Sequence, residues 1–414
     1  MVTLIKNIKK LIQTEDTPRK WVAGKEMANL PAIDNAWLMI EDDRILDFGT
    51  MDNCPEPDEA SEIDVSGRIV MPTFCDSHTH LVYAGSREIE YGDKIRGLSY
   101  EEIAKRGGGI LNSTKLLAQT SEDDLYEQAL ERIHEIIGFG TGAVEIKSGY
   151  GLDTENELKM LRVARRLKET TPIHIKTTFL GAHSIPMEYR NDQTKFVDKV
   201  INEMIPAVAA EELADYIDVF CDKGFFTVED TERILMAGMK YGLIGKIHAN
   251  ELDYSGGIQV GVKYNARSVD HLEFVGPEEI KALQGSETMP TVLPGAAFFL
   301  NMKLSPVREM MNAGLPLALA SDYNPGSSPS GNMKFIMSLG CINYKMTPEE
   351  VINATTLNSA YAMGLEEDLG SIAKGKIANL IITKPIPSYE YLPYAYTSHL
   401  VEQVMLNGEL INLD

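Results

Sequence analysis

The chain has 414 residues, 44% of them apolar and 24% charged, enough for a large core that needs no disulfide staples. Its 61 acidic residues outnumber its 39 lysines and arginines, giving a formal charge of −22. Such acidity repels phosphate backbones and anionic lipid, so nucleic acid and membrane surfaces are excluded as partners.

In chain order, Lys6, Lys9 and Lys10 come first, with no apolar stretch after them, so no signal peptide is expected. Trp37-Leu38-Met39-Ile40 then runs into the polar turn Glu41-Asp42-Asp43-Arg44 and on to Ile45-Leu46-Asp47-Phe48-Gly49, a hairpin signal. A polar, proline-containing loop spans 52–60. The middle of the chain, 67–370, alternates strand-like and helical runs. The strand-like runs are 69–71, 143–146, 173–180, 216–220, 243–248, 267–270, 288–293 and 317–320. Between them, 125–133 and 158–167 carry apolar residues at helical spacing. Eight such β/α units predict a TIM barrel, whose catalytic residues sit where strands end. The connection from 76 to 142 is long and holds Gly107-Gly108-Gly109, a candidate flexible loop over the pocket. Strand-like runs return at 377–382 and 401–405, before the turn Asn407-Gly408. Residues 1–66 and 371–414 are therefore expected to form one composite β-sandwich beside a barrel of 67–370.

Cys54, Cys75, Cys221 and Cys341 have neither metal-knuckle nor disulfide spacing, which suits a reducing cytoplasm. No apolar run is long enough to span a membrane.

The chemistry concentrates at predicted strand ends. In Asp76-Ser77-His78-Thr79-His80, two histidines two apart on a strand point to one side and can converge on an ion. Alone, that pair is weak evidence and reads more readily as surface or cap histidines. His248 closes a strand-like run, Glu251 follows three residues later, His271 follows Ser268-Val269-Asp270, and Asp322 follows Leu319-Ala320-Ser321. His78, His80, His248 and Asp322 are the expected ligands of one zinc or iron ion with a position left for water. Lys147 ends another run, but a bridging modified lysine would call for a second metal, and one is preferred. Glu251 suits the general base and His271 the oxyanion donor, against the plainer readings of a helix-capping carboxylate and a core histidine. His134, His174 and His399 read as structural.

The segment Met71-Pro72-Thr73-Phe74-Cys75-Asp76-Ser77-His78-Thr79-His80 resembles the first-strand signature of the amidohydrolase superfamily. Further segments resemble its imidazolonepropionase family. They are His80-Leu81-Val82-Tyr83-Ala84-Gly85-Ser86-Arg87-Glu88, Glu145-Ile146-Lys147-Ser148-Gly149-Tyr150-Gly151-Leu152, Thr178-Phe179-Leu180-Gly181-Ala182-His183, His248-Ala249-Asn250-Glu251 and Ser321-Asp322-Tyr323-Asn324-Pro325-Gly326-Ser327-Ser328. Asn250 stands where members often have Asp, and Tyr323 where Phe is common. The resemblance implies hydrolysis of 4-imidazolone-5-propanoate to N-formimidoyl-L-glutamate by a cytoplasmic homodimer with a barrel and a composite β-sandwich. It also implies substrate contacts from Arg87, Tyr150, His183, Glu251 and Ser327, and product contacts from Asn324 and Gly326.

The residues themselves agree in kind. A propionate inside an acidic protein needs a bidentate donor, and Arg87 follows the His-x-His. The small residues of 324–328 could expose backbone N–H groups to an anion, or form a plain tight turn. Tyr150 could as well be a packing residue, and a neutral His183 could donate to a ring carbonyl. The nearest alternative activity is deamination of a cyclic amidine such as guanine or cytosine, which would share the metal set. A non-catalytic scaffold would be expected to have lost ligands.

Overall fold

Two eight-stranded sheets take up the strands of this computed structural model, which describes residues 1–57, 59–98, 102 and 109–412. The first sheet is mixed and draws on both ends of the chain. It contains β1 (Val2–Ile12), β2 (Ala32–Glu41), β3 (Arg44–Thr50), β4 (Ser61–Asp64) and β5 (Ile69–Pro72). The second sheet is parallel and runs in chain order: β6 (Phe74–Thr79), β7 (Thr141–Lys147), β8 (His174–Ala182), β9 (Tyr216–Cys221), β10 (Ile244–Ala249), β11 (Ser268–His271), β12 (Met289–Val292) and β13 (Ala318–Leu319). The chain then returns to the first sheet with β14 (Leu380–Thr383), β15 (Val401–Leu406) and β16 (Glu409–Leu410).

The parallel sheet closes on itself as a TIM barrel. Thr79 bridges Tyr323 in parallel. The Asp322 N–H donates to His78 O at 3.0 Å, and the His80 N–H donates to Tyr323 O at 2.9 Å. The closing bonds therefore run through the segments that carry three of the expected ligands.

Helices cover the barrel as the spacing predicts. Glu122–Gly138 starts at Ser121, whose side chain accepts the Asp124 N–H, and buries Leu125, Ala129, Ile133 and Ile136. Thr154–Thr170 starts at Asp153 and buries Leu158, Leu161, Ala164 and Leu167. Each fully buried Leu or Ile of this kind contributes about 1.5–3 kcal/mol through the water it leaves.

The terminal sheet has the order β16-β15-β14-β5-β1-β2-β3, with β4 also on β1. It curls until Ile45 of β3 exchanges hydrogen bonds with Lys376 and Gly375. The enclosed core includes Ile5, Leu11, Leu38, Ile45, Leu380 and Ile382. The β2–β3 hairpin forms at the expected turn, with Glu41 opposite Arg44 and Asp42 at φ 55.

One expected strand belongs elsewhere. The run 69–71 is not the first barrel strand: Ile69 and Val70 pair with Lys10 and Leu11 of β1, and on the other side Val70 and Met71 pair with Ile382 and Ile381 of β14. The chain crosses between sheets at Pro72-Thr73, and the Phe74 N–H opens the barrel by donating to Gly140 O. Hydropathy misses β6 because Asp76, Ser77, His78 and Thr79 are polar yet fully buried. The other seven runs match their strands to within two residues at each end. Of the glycine loop, Gly107 and Gly108 lie outside the described residues, and Gly109 precedes the helix Ile110–Gln119.

Candidate metal centre and active-site cavity

The expected ligands meet at the end of the barrel where the strands finish. His78 Nε2 and His80 Nε2 each lie 3.6 Å from Asp322 Oδ1, and His80 Nε2 lies 3.3 Å from His248 Nε2. All four side chains are buried. His271 joins His78 and His248, and His183 joins His80 and His248, in groups whose ligand atoms lie within 4.8 Å of one another.

Two of the ring nitrogens away from this centre are anchored, while His80 Nδ1 is buried without a partner. His78 Nδ1 is 2.7 Å from Asp270 Oδ2, and His248 Nδ1 is 2.9 Å from Asp218 Oδ2. Each anchored Nδ1 carries the proton, which leaves Nε2 as a lone-pair donor. His78 Nε2 is buried without a hydrogen-bond partner. Burial and mutual repulsion hold the pKa values of His78, His80 and His271 well below the usual imidazole range. Burial also pushes the Asp322 carboxyl up to about 7. Neutral imidazoles with converging lone pairs beside one carboxylate are a donor set that fits a single zinc or iron ion.

Beneath this centre lies a fully buried charge network that sequence reasoning did not find. Lys147 Nζ donates to Glu145 Oε1 at 2.6 Å and Asp218 Oδ2 at 2.8 Å, and lies 3.8 Å from Asp270 Oδ2. Lys246 Nζ pairs with Glu145 Oε2 and donates to Ser77 O at 2.9 Å. Burial pulls the Lys147 pKa down, but Asp218, Glu145 and Asp270 together raise it further, so it is an ammonium group. A signal was available in Tyr-Ile-Asp-Val-Phe-Cys at 216–221: a lone carboxylate in an apolar strand must find a partner inside.

Glu251 lines the cavity with its Oε2 3.6 Å from His271 Nδ1. Burial, then Asp322 and Asp222, push its carboxyl up to about 8. Asp222 holds this loop by accepting the N–H groups of Glu251 and Leu252 at 2.7 and 2.9 Å. His271 and Leu272 have φ of 85 and 71, and Asp322 has φ of 54. Such backbone costs about 1–3 kcal/mol per residue and persists where the surroundings hold it, a pattern concentrated at functional sites. Glu273 is buried, 3.9 Å from His271 Nδ1, with neither carboxyl oxygen hydrogen-bonded.

The cavity above has a volume of about 190 Å³, small even for a small-molecule site. Its lining includes every residue expected at the substrate: Arg87, Tyr150, His183, Glu251, Asn324, Gly326 and Ser327. It also includes Lys94, Ile110, Phe220 and Leu300, which the sequence did not single out. His183 stacks on His80 with centroids 5.0 Å apart and has Nδ1 2.9 Å from Gly149 O. Glu157, also missed, gathers the N–H groups of Gly149, Gly151 and Leu152 and so shapes the loop that carries Tyr150.

Of the two readings of the 324–328 turn, the hydrogen bonds favour the tight turn: the Gly326 and Ser327 N–H groups both donate to Asn324 Oδ1 at 2.8 Å. One edge of the Arg87 fork is taken, its Nε and Nη2 being held by the Glu90 carboxylate. Asn and Arg side chains find partners in their own loops that spacing does not reveal.

The amidohydrolase family profile matches residues 69–411. A Flavobacterium johnsoniae protein named imidazolonepropionase is 58% identical, covering 99% of this chain and 100% of its own. The imidazolonepropionase of Alkaliphilus metalliredigens is 40% identical, covering 99% of this chain and 97% of its own. This chain belongs to the amidohydrolase family, among its imidazolonepropionases. Amidohydrolases are metal-dependent enzymes, and the histidine and aspartate cluster is where a metal fits. Two solved structures share the fold at low identity. A guanine deaminase from C. acetobutylicum has a TM-score of 0.74 at 15% identity, with 100% of both chains covered. A triazine hydrolase variant has a TM-score of 0.74 at 16% identity, with 99% of this chain and 94% of its own covered.

Proposed function

We propose that this amidohydrolase opens the cyclic amide of 4-imidazolone-5-propanoate to give N-formimidoyl-L-glutamate, a step of histidine degradation. The observation that carries the reading is the shared cavity: a histidine and aspartate cluster, a buried carboxyl with a raised pKa and a cationic wall face one space. The full-length likeness to proteins named imidazolonepropionase supports the same substrate.

His78, His80, His248 and Asp322 would hold one ion, zinc or iron. When bound, that ion supplies Lewis acidity, making water a stronger acid and polarising a carbonyl. Glu251 accepts a proton from the attacking water, and water oxygen bonds to the ring carbonyl carbon. His271 donates to the oxygen that gains charge. Glu251 then returns its proton to the ring nitrogen as the carbon–nitrogen bond breaks. The carbonyl carbon becomes a carboxylate, and the departing nitrogen becomes the formimidoyl nitrogen. Asp322 lies beside this exchange and, with Glu251, keeps the proton within the cavity. Arg87 fixes the propionate, Tyr150 and His183 flank the ring, and Asn324, Gly326 and Ser327 form the wall against the product. The four cysteines are unpaired, and no helix among the described residues is long and apolar enough to cross a membrane. We assign the enzyme to the cytoplasm, as a homodimer.

The test is a direct assay with freshly made imidazolone propionate, following its loss and the product before and after chelation. Formation of N-formimidoyl-L-glutamate that stops on chelation is the expected result. Ammonia release from a cyclic amidine, without that product, would replace this reading with the deaminase one.

A further inference from the structure

The cavity wall carries two cations where the reading above uses one. Arg87 is the N-cap of the helix Glu88–Ile95, and Lys94 lies in its last turn. Both line the cavity, and no other Lys or Arg is among its described lining residues. Glu90 stands between them and is 8% exposed. Its carboxylate accepts from Arg87 Nε at 2.9 Å and from Arg87 Nη2. It lies 3.7 Å from Lys94 Nζ, and it accepts the Gly109 N–H at 2.8 Å.

This arrangement limits what Arg87 can do alone. An arginine grips a carboxylate best through two parallel N–H bonds. Here the Nε/Nη2 edge is committed to Glu90, which leaves the Nη1/Nη2 edge. That edge is narrowed, because Nη1 packs so closely on Gly326 that a Cβ there would stand 2.3 Å from it. A propionate at the narrowed edge gains a further charge-assisted donor from a second cation. Lys94 is in position: it lines the cavity, its side chain is 32% exposed, and its ammonium lies 3.7 Å from Glu90. Two cations against one carboxylate also leave one positive charge at this wall, in a chain whose net charge is −22. Burial lowers the Lys94 pKa and Arg87 adds to that, while Glu90 opposes both. An incoming carboxylate would relieve the repulsion between the two cations.

We propose that Lys94 is the second cation of the carboxylate subsite, binding the substrate's propionate together with Arg87 while Glu90 serves as their shared counter-ion. The proposal rests on the reading of Arg87 as a carboxylate ligand. It assigns Lys94 a part in substrate selection and none in the bond-breaking step.

Inhibition constants for imidazole-4-propanoate and its neutral carboxamide, measured on the metal-loaded enzyme, isolate the subsite from the chemistry. Lys94→Met should weaken the carboxylate about tenfold, as for the loss of one charge-assisted hydrogen bond, and leave the carboxamide unchanged. Lys94→Arg should restore most of the preference, and substrate KM should follow while kcat holds. If Lys94→Met leaves the preference intact while Arg87→Met collapses it, the Lys94 proposal falls and the Arg87 reading stands. If neither variant changes it, the carboxylate reading falls and takes the proposal with it. Equal weakening of both analogues by Lys94→Met would mark a structural residue and also overturn the proposal.

Discussion

Replacing Asp218 with Asn tests how the buried network supports the metal centre. Asp218 accepts three hydrogen bonds: from the His248 N–H at 3.0 Å, from His248 Nδ1 at 2.9 Å and from Lys147 Nζ at 2.8 Å. Every group facing it is a donor. An Asn amide has one accepting oxygen, so its NH₂ must confront the His248 backbone, the His248 ring or the Lys147 ammonium. Each donor left unpaired in the interior costs about 1–3 kcal/mol. Removing the negative charge also strips Lys147 of one partner, and breaking a buried pair typically costs about 3–5 kcal/mol. Lys147 keeps Glu145 at 2.6 Å, which puts the expected loss at the lower end, about 3 kcal/mol. A second effect is separate: His248 loses the acceptor that fixes its tautomer, which typically weakens metal binding about 10–100-fold. Calorimetry of the metal-free protein reads the first, and chelator competition reads the second. An Asp218→Asn protein with unchanged thermal stability and unchanged metal affinity would refute the role given to this network.

Glu251→Gln should retain metal and inhibitor binding while kcat falls about 10²–10⁴-fold, the usual contribution of a positioned general base. Near-normal kcat would remove Glu251 from that role. The sign of the pH effect follows from the same group. A base must be ionised, and the Glu251 carboxyl is raised from 4.5 to about 8, so kcat/KM should fall as pH drops through its pKa. A bound cation stabilises the carboxylate, so the acidic limb should fall between those two values, and it should vanish from the residual activity of the Gln variant. Arg87→Ala should raise substrate KM with little change in kcat; an unchanged KM would argue against a carboxylate ligand there. Gly149→Ala puts a Cβ 2.8 Å from His183 Nδ1 at a φ of 112. It should cost about 1–2 kcal/mol in backbone strain and displace His183, read as lower thermal stability together with higher KM.

The sequence carried most of the site because a metal centre demands residue types that composition rarely places by chance. His248 ends a strand run and Asp322 follows one, and parallel strands deliver their ends to one rim; His78 and His80 were legible from their two-residue spacing. Seven of the eight barrel strands were visible for a related reason: strands buried on both faces are apolar nearly throughout. The first was hidden because its interior positions are Asp76, Ser77 and His78; Ser321 and Asp270, from distant segments, pair Asp76 and His78, while the Ser77 hydroxyl is left without a partner. Glu90 was missed because it joins the N-cap of its own helix, Arg87, to Gly109, which lies 19 residues beyond Glu90.

Local chemistry, then, determined which side chains could bind an ion and which runs could be strands, since both depend on residue type and spacing along the chain. Only the closed barrel decided how the polar interior is paired, that Lys147 answers Asp218 and Glu145, that Glu90 occupies one edge of the Arg87 fork, and that 69–71 joins the terminal sheet. Those outcomes turn on which buried charge finds which partner across the fold, and in a low-dielectric interior that pairing is set by three-dimensional distance and not by sequence separation.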